Sequence, residues 1–139
     1  MGGKFLLAGV AGVLGRVNHA QGRYDKVEEQ SRTIESLADT DDIDAQTEWR
    51  CLRALSLGHD GRAEEAVELA RAAVELSRAA DAPLLLAGAL VTLGDVEDMA
   101  AHGAERDEAF QQALILYRHK GDVVSTRRIE SRLTVDAGA

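Results

Sequence analysis

A chain of 139 residues can form one domain with a sizeable buried core. Apolar residues make up 45% of it, mostly Ala and Leu, and aromatic residues only 4%. This composition favours closely packed helices over a β-sandwich, which needs β-branched and aromatic residues. The net charge of −8 at pH 7 argues against binding to nucleic acid or to an anionic membrane, because both require a basic surface.

Two features of the sequence bear on its compartment. The single cysteine, Cys51, cannot form an internal disulfide, and this favours a reducing cytoplasm. Residues 5–15 (FLLAGVAGVLG) resemble the apolar core of a signal peptide, but Arg16, Asn18 and His19 follow where a small-residue cleavage site should lie. The run is also too short to span a bilayer. The sequence therefore favours a helix of the folded domain.

Helical periodicity dominates the chain, and Gly, Asp and one Pro mark the ends of the predicted helices. Seven helices are predicted, at residues 5–21, 24–38, 43–58, 62–80, 83–101, 105–119 and 122–135. In the fourth, small apolar residues recur at steps of three and four residues. Because such a narrow stripe buries little surface by itself, it predicts a helix that forms one layer of a stack.

One turn motif recurs along the chain. Residues 21–27 (QGRYDKV) recur at 60–66 as DGRAEEA and, more loosely, at 103–109 as GAERDEA. The spacing of about 40 residues is typical of a repeated helix pair. The Gly allows the left-handed backbone that commonly ends a helix. The recurrence therefore predicts three copies of one two-helix unit.

At these positions, over about residues 5–120, the chain resembles the tetratricopeptide repeat family. The matching residues are Ala11, Leu14, Gly15, Gly22, Tyr24 and Val27 in repeat one, Trp49, Leu52, Gly61, Ala63 and Ala66 in repeat two, and Leu90, Leu93, Gly94 and Ala109 in repeat three. Val27 replaces the family's usual Ala, and repeat three has extra residues around 99–103. In repeat two, either Arg53 stands where a small residue should follow Leu52, or the register slips by one and Ala54 takes that place.

The resemblance implies an all-α fold, an α-α superhelix, as a single domain of residues 1–139. Its helix pairs would span residues 5–40, 42–80 and 82–120, followed by a capping helix at 122–135. The long, Ala-rich repeats are also similar to the C-terminal regions of large actinobacterial regulators that carry nucleotide cyclase, ATPase or DNA-binding domains. This similarity implies a regulatory, cytoplasmic module of a larger bacterial protein.

A tetratricopeptide superhelix implies a protein-interaction scaffold without catalysis or cofactor, whose protein or peptide partner lies along the concave face. The family's groove positions correspond to Gly9, Gly12, Arg16 and His19 in repeat one, Thr47, Arg50, Ala54 and Leu57 in repeat two, and Gly88, Val91, Asp95 and Asp98 in repeat three. Arg16 and Arg50 are the candidates for holding an acidic peptide, because guanidinium groups bind carboxylates in bidentate fashion.

Self-association, or a structural spacer role in a larger protein, is the alternative function. The last predicted helix has a charged outer side, as a solubilising cap requires. The N-terminal end instead begins with the apolar residues Phe5, Leu6 and Leu7 and has no evident cap. Either an upstream helix or a second copy of the chain would cover this end, so a homodimer through it is expected if nothing precedes it.

The Gly-rich start allows a minor alternative, a fragment of a nucleotide-binding enzyme. Gly9, Gly12 and Gly15 follow an apolar run, as in the phosphate-binding turn of dinucleotide-binding enzymes. A second strand ending in an acid should follow, and the sequence instead continues with a turn and an amphipathic helix. The pattern favours a first helix packed closely on its neighbour.

No metal site is predicted from the acids or the histidines. The acids at 39, 41, 42 and 44 lack the Gly and Glu of a calcium-binding loop and suit the start of a helix instead. The four histidines, His19, His59, His102 and His119, lie near predicted helix ends. None has the partner four residues away that a helical metal pair requires.

Overall fold

The computed structural model describes the backbone of residues 2–137 and the side chains of residue 3 and of residues 6–133. Within this range the chain forms seven α-helices and no strand. The helices are α1 (Gly2–Ala20), α2 (Tyr24–Leu37), α3 (Ile43–His59), α4 (Ala63–Ala79), α5 (Pro83–Met99), α6 (Gly103–Lys120) and α7 (Val123–Ala137). The predicted all-α class is confirmed. Phe5, which belongs to the predicted apolar N-terminal end, lies outside the described side chains.

The helix ends follow local signals in the sequence. The carboxylate of Asp42 accepts a hydrogen bond from the Ala45 N–H at 3.1 Å and so caps α3. Pro83 opens α5, where its lack of an N–H does no harm. Gly121 ends α6 in a left-handed conformation, which glycine adopts without steric penalty.

The helices lie in two layers. Each helix packs against its neighbours along the chain, and α3 also packs against both α1 and α5. Among the described residues, α2, α4 and α6 make no contact with one another. We call α1, α3 and α5 the first helices and α2, α4 and α6 the second helices. The first helices form one side of the row and the second helices the other.

The core is divided into small clusters that cross from one helix pair to the next. The first joins Ala8 and Ala11 of α1 to Ile34 of α2 and Leu52 of α3. Two further clusters join α3 and α4 to α5, and one of these reaches α6. A last cluster packs Ile129 of α7 against α6. Because the first three clusters each draw on two pairs, each pair depends on its neighbour for burial.

Three glycines set the separation between helices. A Cβ on Gly15 would lie 2.5 Å from Leu52 Cδ1, one on Gly58 2.3 Å from Met99 Sδ, and one on Gly94 2.2 Å from Phe110 Cε1. All three distances are far below van der Waals contact. The backbones therefore approach as closely as they do only because these positions carry no side chain.

The second helices begin at equivalent points, Tyr24, Ala63 and Gly103, about 40 residues apart. Two residues before each start, Gly22, Gly61 and Ala101 adopt left-handed backbones with φ of 75°, 82° and 63°. The turn before the second helices thus occurs three times, with alanine in the third place where the first two carry glycine. A left-handed residue also precedes α5 at Asp81 and α7 at Gly121, with φ of 52° and 74°.

The helix ends also fix the register of the repeats. By the starts of the second helices, Arg106 and not Ala109 stands in the position of Ala66, so the predicted alignment of the third repeat is wrong. By the ends of the first helices, Ala54 stands in the position of Gly15 and Gly94. The slipped register is therefore the one adopted in repeat two.

We expect Gly94→Ala to destabilise the fold by about 1–3 kcal/mol, the usual cost of overpacking a core. Gly88→Ala, on the same helix, is the matched control, because a Cβ there meets nothing within 4 Å. That substitution should stabilise the fold by up to about 1 kcal/mol through helix propensity. Urea unfolding measures both changes, and a stable Gly94→Ala variant would refute the close approach of α5 and α6.

Ala101→Gly should stabilise the protein, because alanine in a left-handed backbone costs about 1–2 kcal/mol. Glycine also makes the unfolded chain more flexible, and this entropy offsets about 0.4–1 kcal/mol of the gain in folding free energy. Gly61→Ala, at the equivalent turn, should destabilise by a similar net amount. The two melting temperatures are expected to move in opposite directions, and a shift of the same sign in both variants would count against equivalent turns.

Candidate functional site

A cleft of about 510 Å³ opens on the side of the first helices. It lies between the middle of α1, the start of α3 and the start of α5, with Ile34 of α2 also in its wall. Its lining residues are Ala8, Gly9, Gly12, Val13, Arg16, Ile34, Asp42, Asp44, Ala45, Glu48, Leu84 and Leu85. Binding pockets commonly have this size and a mainly apolar wall with a few polar groups.

The cleft exists because α1 presents glycine towards it. A Cβ on Gly9 would meet nothing within 4 Å, whereas one on Gly12 would lie 3.3 Å from Glu48 Cγ. On the opposite wall Leu84 is exposed, since it lies in the first turn of α5. At these two glycines α1 therefore places no side chain in the cleft.

Arg16 and Glu48 close one side of the cleft with a bidentate ion pair. Arg16 Nε lies 2.8 Å from Glu48 Oε1 and Arg16 Nη2 lies 2.9 Å from Glu48 Oε2. Desolvation would lower the pKa of Arg16, but the hydrogen bonds and charge of Glu48 outweigh it and raise that pKa. The guanidinium thus remains charged, and its charge is matched within the protein.

The other charges of the cleft are acidic. Asp42 caps α3 through one carboxylate oxygen, which balances the partial positive charge of that helix N-terminus. Asp44, in the first turn of α3, is exposed and makes no hydrogen bond or ion pair with the described side chains. The cleft therefore presents a negative charge beside an apolar surface.

Three rings cluster at the C-terminal ends of α1 and α3. Tyr24 stacks on His59 with ring centroids 3.5 Å apart, and His19 lies 5.6 Å from His59 and 6.0 Å from Tyr24. Desolvation lowers the pKa of His19 and that of His59, while the charge of Asp95 opposes the shift at both. His19 follows Arg16 by three residues in α1, so the ring cluster lies about one helical turn beyond that wall of the cleft.

Of the predicted groove residues, Arg16, His19 and Asp95 come together on this side of the molecule. Asp95 forms an ion pair with Arg132 of α7, and burial raises the pKa of its carboxyl although Arg132 opposes the shift. Gly9 and Gly12 line the cleft itself. The part of the prediction that falls on α1 is thus located on a single accessible surface.

The predicted groove residues of α3 lie elsewhere. Thr47 is only 1% exposed and Ala54 is fully buried, so neither side chain is available to a partner. Leu57 packs against a core cluster shared with α4 and α5. Arg50 donates to Gln46 and stacks over Trp49.

The predicted groove residues of α5 other than Asp95 either contact other side chains of the protein or lie away from the cleft. Val91 packs against the clusters that join α5 to α6 and α7. Asp98 is exposed and pairs with Arg106 at 2.9 Å, on the side of α6. Gly88 has open space around it and does not line the cleft.

Sequence reasoning missed Glu48, Asp44, Leu84 and His59. The contact between Arg16 and Glu48 joins residues 32 positions apart, so no local sequence pattern predicts it. His59 was interpreted only as a residue at a helix end. Its stacking on Tyr24 depends on how α2 and α3 meet, which the sequence pattern does not specify.

A second cavity, of about 340 Å³, lies between α4, α5 and α6 and contains a buried carboxylate. Glu97 is 1% exposed and accepts from Arg71 Nη2 at 2.9 Å. Its other oxygen lies 2.6 Å from His102 Nδ1. Buried charges require such partners, so this cluster holds the start of α6 against α4 and α5.

The structure also shows the residues that were considered for nucleotide binding, nucleophilic chemistry and metal binding. Gly9, Gly12 and Gly15 lie within α1, and no strand precedes them among residues 2–137, so the strand and turn of a dinucleotide site are not formed there. Cys51 is buried, and burial raises the pKa of its thiol to about 11. No group of three or more potential metal ligands occurs among the described residues. No helix in the described part is both long and apolar enough to cross a bilayer.

Comparisons with protein-family models, with curated proteins and with solved structures find no significant match to this chain.

The environments of three histidines predict on which side of pH 6.5 each should titrate when measured by NMR. Hydrogen bonding to Glu97 raises the pKa of His102 above its ordinary value of 6.5, whereas desolvation lowers those of His19 and His59 below 6.5. Because folded His102 binds its proton more tightly than the unfolded chain does, its contribution to stability is full below pH 6.5 and is lost as pH rises through the folded pKa.

His102→Gln should therefore lose more stability relative to the wild type at acidic pH than at alkaline pH. Urea unfolding on either side of pH 6.5 measures the difference. A loss that is the same at both pH values would contradict the contact between His102 and Glu97.

Proposed function

We propose that the chain is a tetratricopeptide-like solenoid that binds a short segment of a partner protein along its first helices, in a regulatory and cytoplasmic setting. The observation that carries this proposal is the cleft between α1, α3 and α5, which is open, largely apolar and about 510 Å³ in volume. It accommodates one or two side chains of an extended peptide, and its walls belong to three different helices.

The contacts between helices support the solenoid part of the proposal. First helices touch along the row while the described second helices do not. A row with this asymmetry curves towards its first helices, as in repeat proteins whose concave face binds partners. Left-handed turn residues at 22, 61 and 101 support a repeated unit.

The charges of the cleft favour a basic partner over the acidic one expected from Arg16 and Arg50. Arg16 is matched by Glu48, and Arg50 is engaged by Gln46 and Trp49. No described side chain pairs with the carboxylate of Asp44. The partner segment that fits best carries an apolar side chain for the cleft and a neighbouring Lys or Arg for Asp44.

The proposal assigns binding and no catalysis to the chain, and it requires no cofactor. The only thiol is buried with a raised pKa, which suits a structural side chain rather than a nucleophile. The cleft contains no histidine that could act as a base beside its carboxylates.

Self-association is the second candidate, and a separate observation favours it. Along α1, six large apolar side chains are exposed in this structure: Leu6, Leu7, Val10, Val13, Leu14 and Val17. Exposed apolar patches of this kind commonly mark protein interfaces. The two candidates are compatible, because only Val13 belongs to both this set and the cleft.

Filling the cleft tests the leading proposal. Peptides are first selected from a random library on the wild-type chain, and their dissociation constants are measured by fluorescence polarisation. Gly9→Phe should weaken binding at least about tenfold, a change of about 1.4 kcal/mol, because the ring occupies the cleft. A Cβ at Gly9 meets nothing within 4 Å, so the fold should persist.

Gly3→Phe is the matched control, since Gly3 is also unobstructed on α1 but does not line the cleft. It should bind the selected peptides like the wild type. Failure to select any peptide, or equal binding by the two variants, would contradict a peptide site in the cleft.

A further inference from the structure

The two faces of α1 differ in the size of their residues. The face against α2 and α3 consists of small residues, namely Ala8, Ala11, Gly12 and Gly15. The opposite face carries the six large apolar side chains, with Leu6 and Val13 each 65% exposed. We call this set the outer face of α1. Residues 6–15 of α1 are all apolar, and a helical stretch that is apolar on all sides normally lies inside an assembly.

The six described side chains of the outer face of α1 carry no charge, unlike the exposed side of α7. The exposed side of α7 combines Val123 and Val124 with Arg127 and Arg128. Head-to-tail stacking of α7 on α1 would bury these arginines against an apolar surface without a partner, at a high desolvation cost. Two copies of the outer face of α1 bury no charge at all.

The spacing of the apolar residues along the outer face is the same whether the helix is followed from its N-terminus or from its C-terminus. Its central stripe is Leu6, Val10, Val13 and Val17, at steps of four, three and four residues. A helix laid antiparallel across this stripe therefore places Leu6 opposite Val17 and Val10 opposite Val13 of the second copy. Such self-complementarity is what a two-fold interface requires.

We propose that two copies of this chain associate through a two-fold axis that crosses the middle of α1, with the two α1 helices antiparallel. This interface shares only Val13 with the cleft, and the proposal does not depend on the peptide site. Steps of three and four residues also match the interdigitation of helices in coiled coils. The outer face of α1 is thus covered by the same face of the second copy.

Sedimentation equilibrium of the full chain tests the association. The wild type should show twice the chain mass, and Leu6→Glu/Val10→Glu should show a single chain mass with unchanged helix content by circular dichroism. Val123→Glu/Val124→Glu is the matched control, because it makes the same charge change on exposed valines of α7. It should remain dimeric. A monomeric wild type at its highest soluble concentration would overturn the proposal, as would dimers of both variants.

Cross-linking tests the antiparallel geometry in a Cys51→Ala background. An oxidised mixture of Leu6→Cys and Val17→Cys chains should form disulfide-linked dimers between the two variants. Leu6→Cys alone should not, because the two Leu6 positions would lie about 16 Å apart along antiparallel helices, beyond the reach of a disulfide. Efficient linkage of Leu6→Cys to itself would indicate a parallel arrangement and refute the two-fold pairing.

Leu6 and Val10 do not line the cleft, so their substitution should leave binding of the selected peptides intact. Loss of the dimer with retained peptide binding separates this inference from the proposed function. A chain that binds peptides but never dimerises would refute only the interface at α1.

Discussion

Close approach of helices at residues with little or no side chain is the constraint on which this structure depends. Gly15 faces Leu52 and Gly94 faces Phe110 at distances that exclude a Cβ. Elsewhere alanines occupy the seams, as in the cluster of α3, α4 and α5. Thin helices packed this closely bury few atoms per pair. Each pair therefore needs the next one, and the chain forms a row and not a set of independent hairpins.

The same constraint shapes both candidate surfaces. Because small residues of α1 face inward, its large residues are left on the outer face. Glycines on the flank of α1 also leave the cleft open towards α3 and α5. The cleft and the apolar face thus arise from one helix whose large side chains point away from its own core. Larger inward residues on α1 would remove the cleft and separate α1 from α3.

The sequence predicted the number and positions of the helices because Gly, Asp and Pro mark their ends directly. Gly9, Gly12 and Arg16 of the predicted groove line the cleft, and their role in binding stays a prediction. The sequence misplaced Thr47 and Leu57 because α3 packs against α1, α2, α4 and α5 and is buried on most sides. A helix covered on so many sides has no clear apolar stripe, so its orientation cannot be deduced from periodicity. The ion pair of Arg16 with Glu48 depends on that orientation and was missed for the same reason.

The most direct test of the account is an amide NMR titration of the isotopically labelled chain with a selected peptide. The account predicts that chemical-shift changes concentrate on the first helices, around residues 8–16 of α1, 42–48 of α3 and 84–85 of α5. Because the second helices lie on the other side of the row, their exposed residues should shift little. Changes concentrated on the exposed faces of α2, α4 and α6 would contradict a binding groove formed by the first helices.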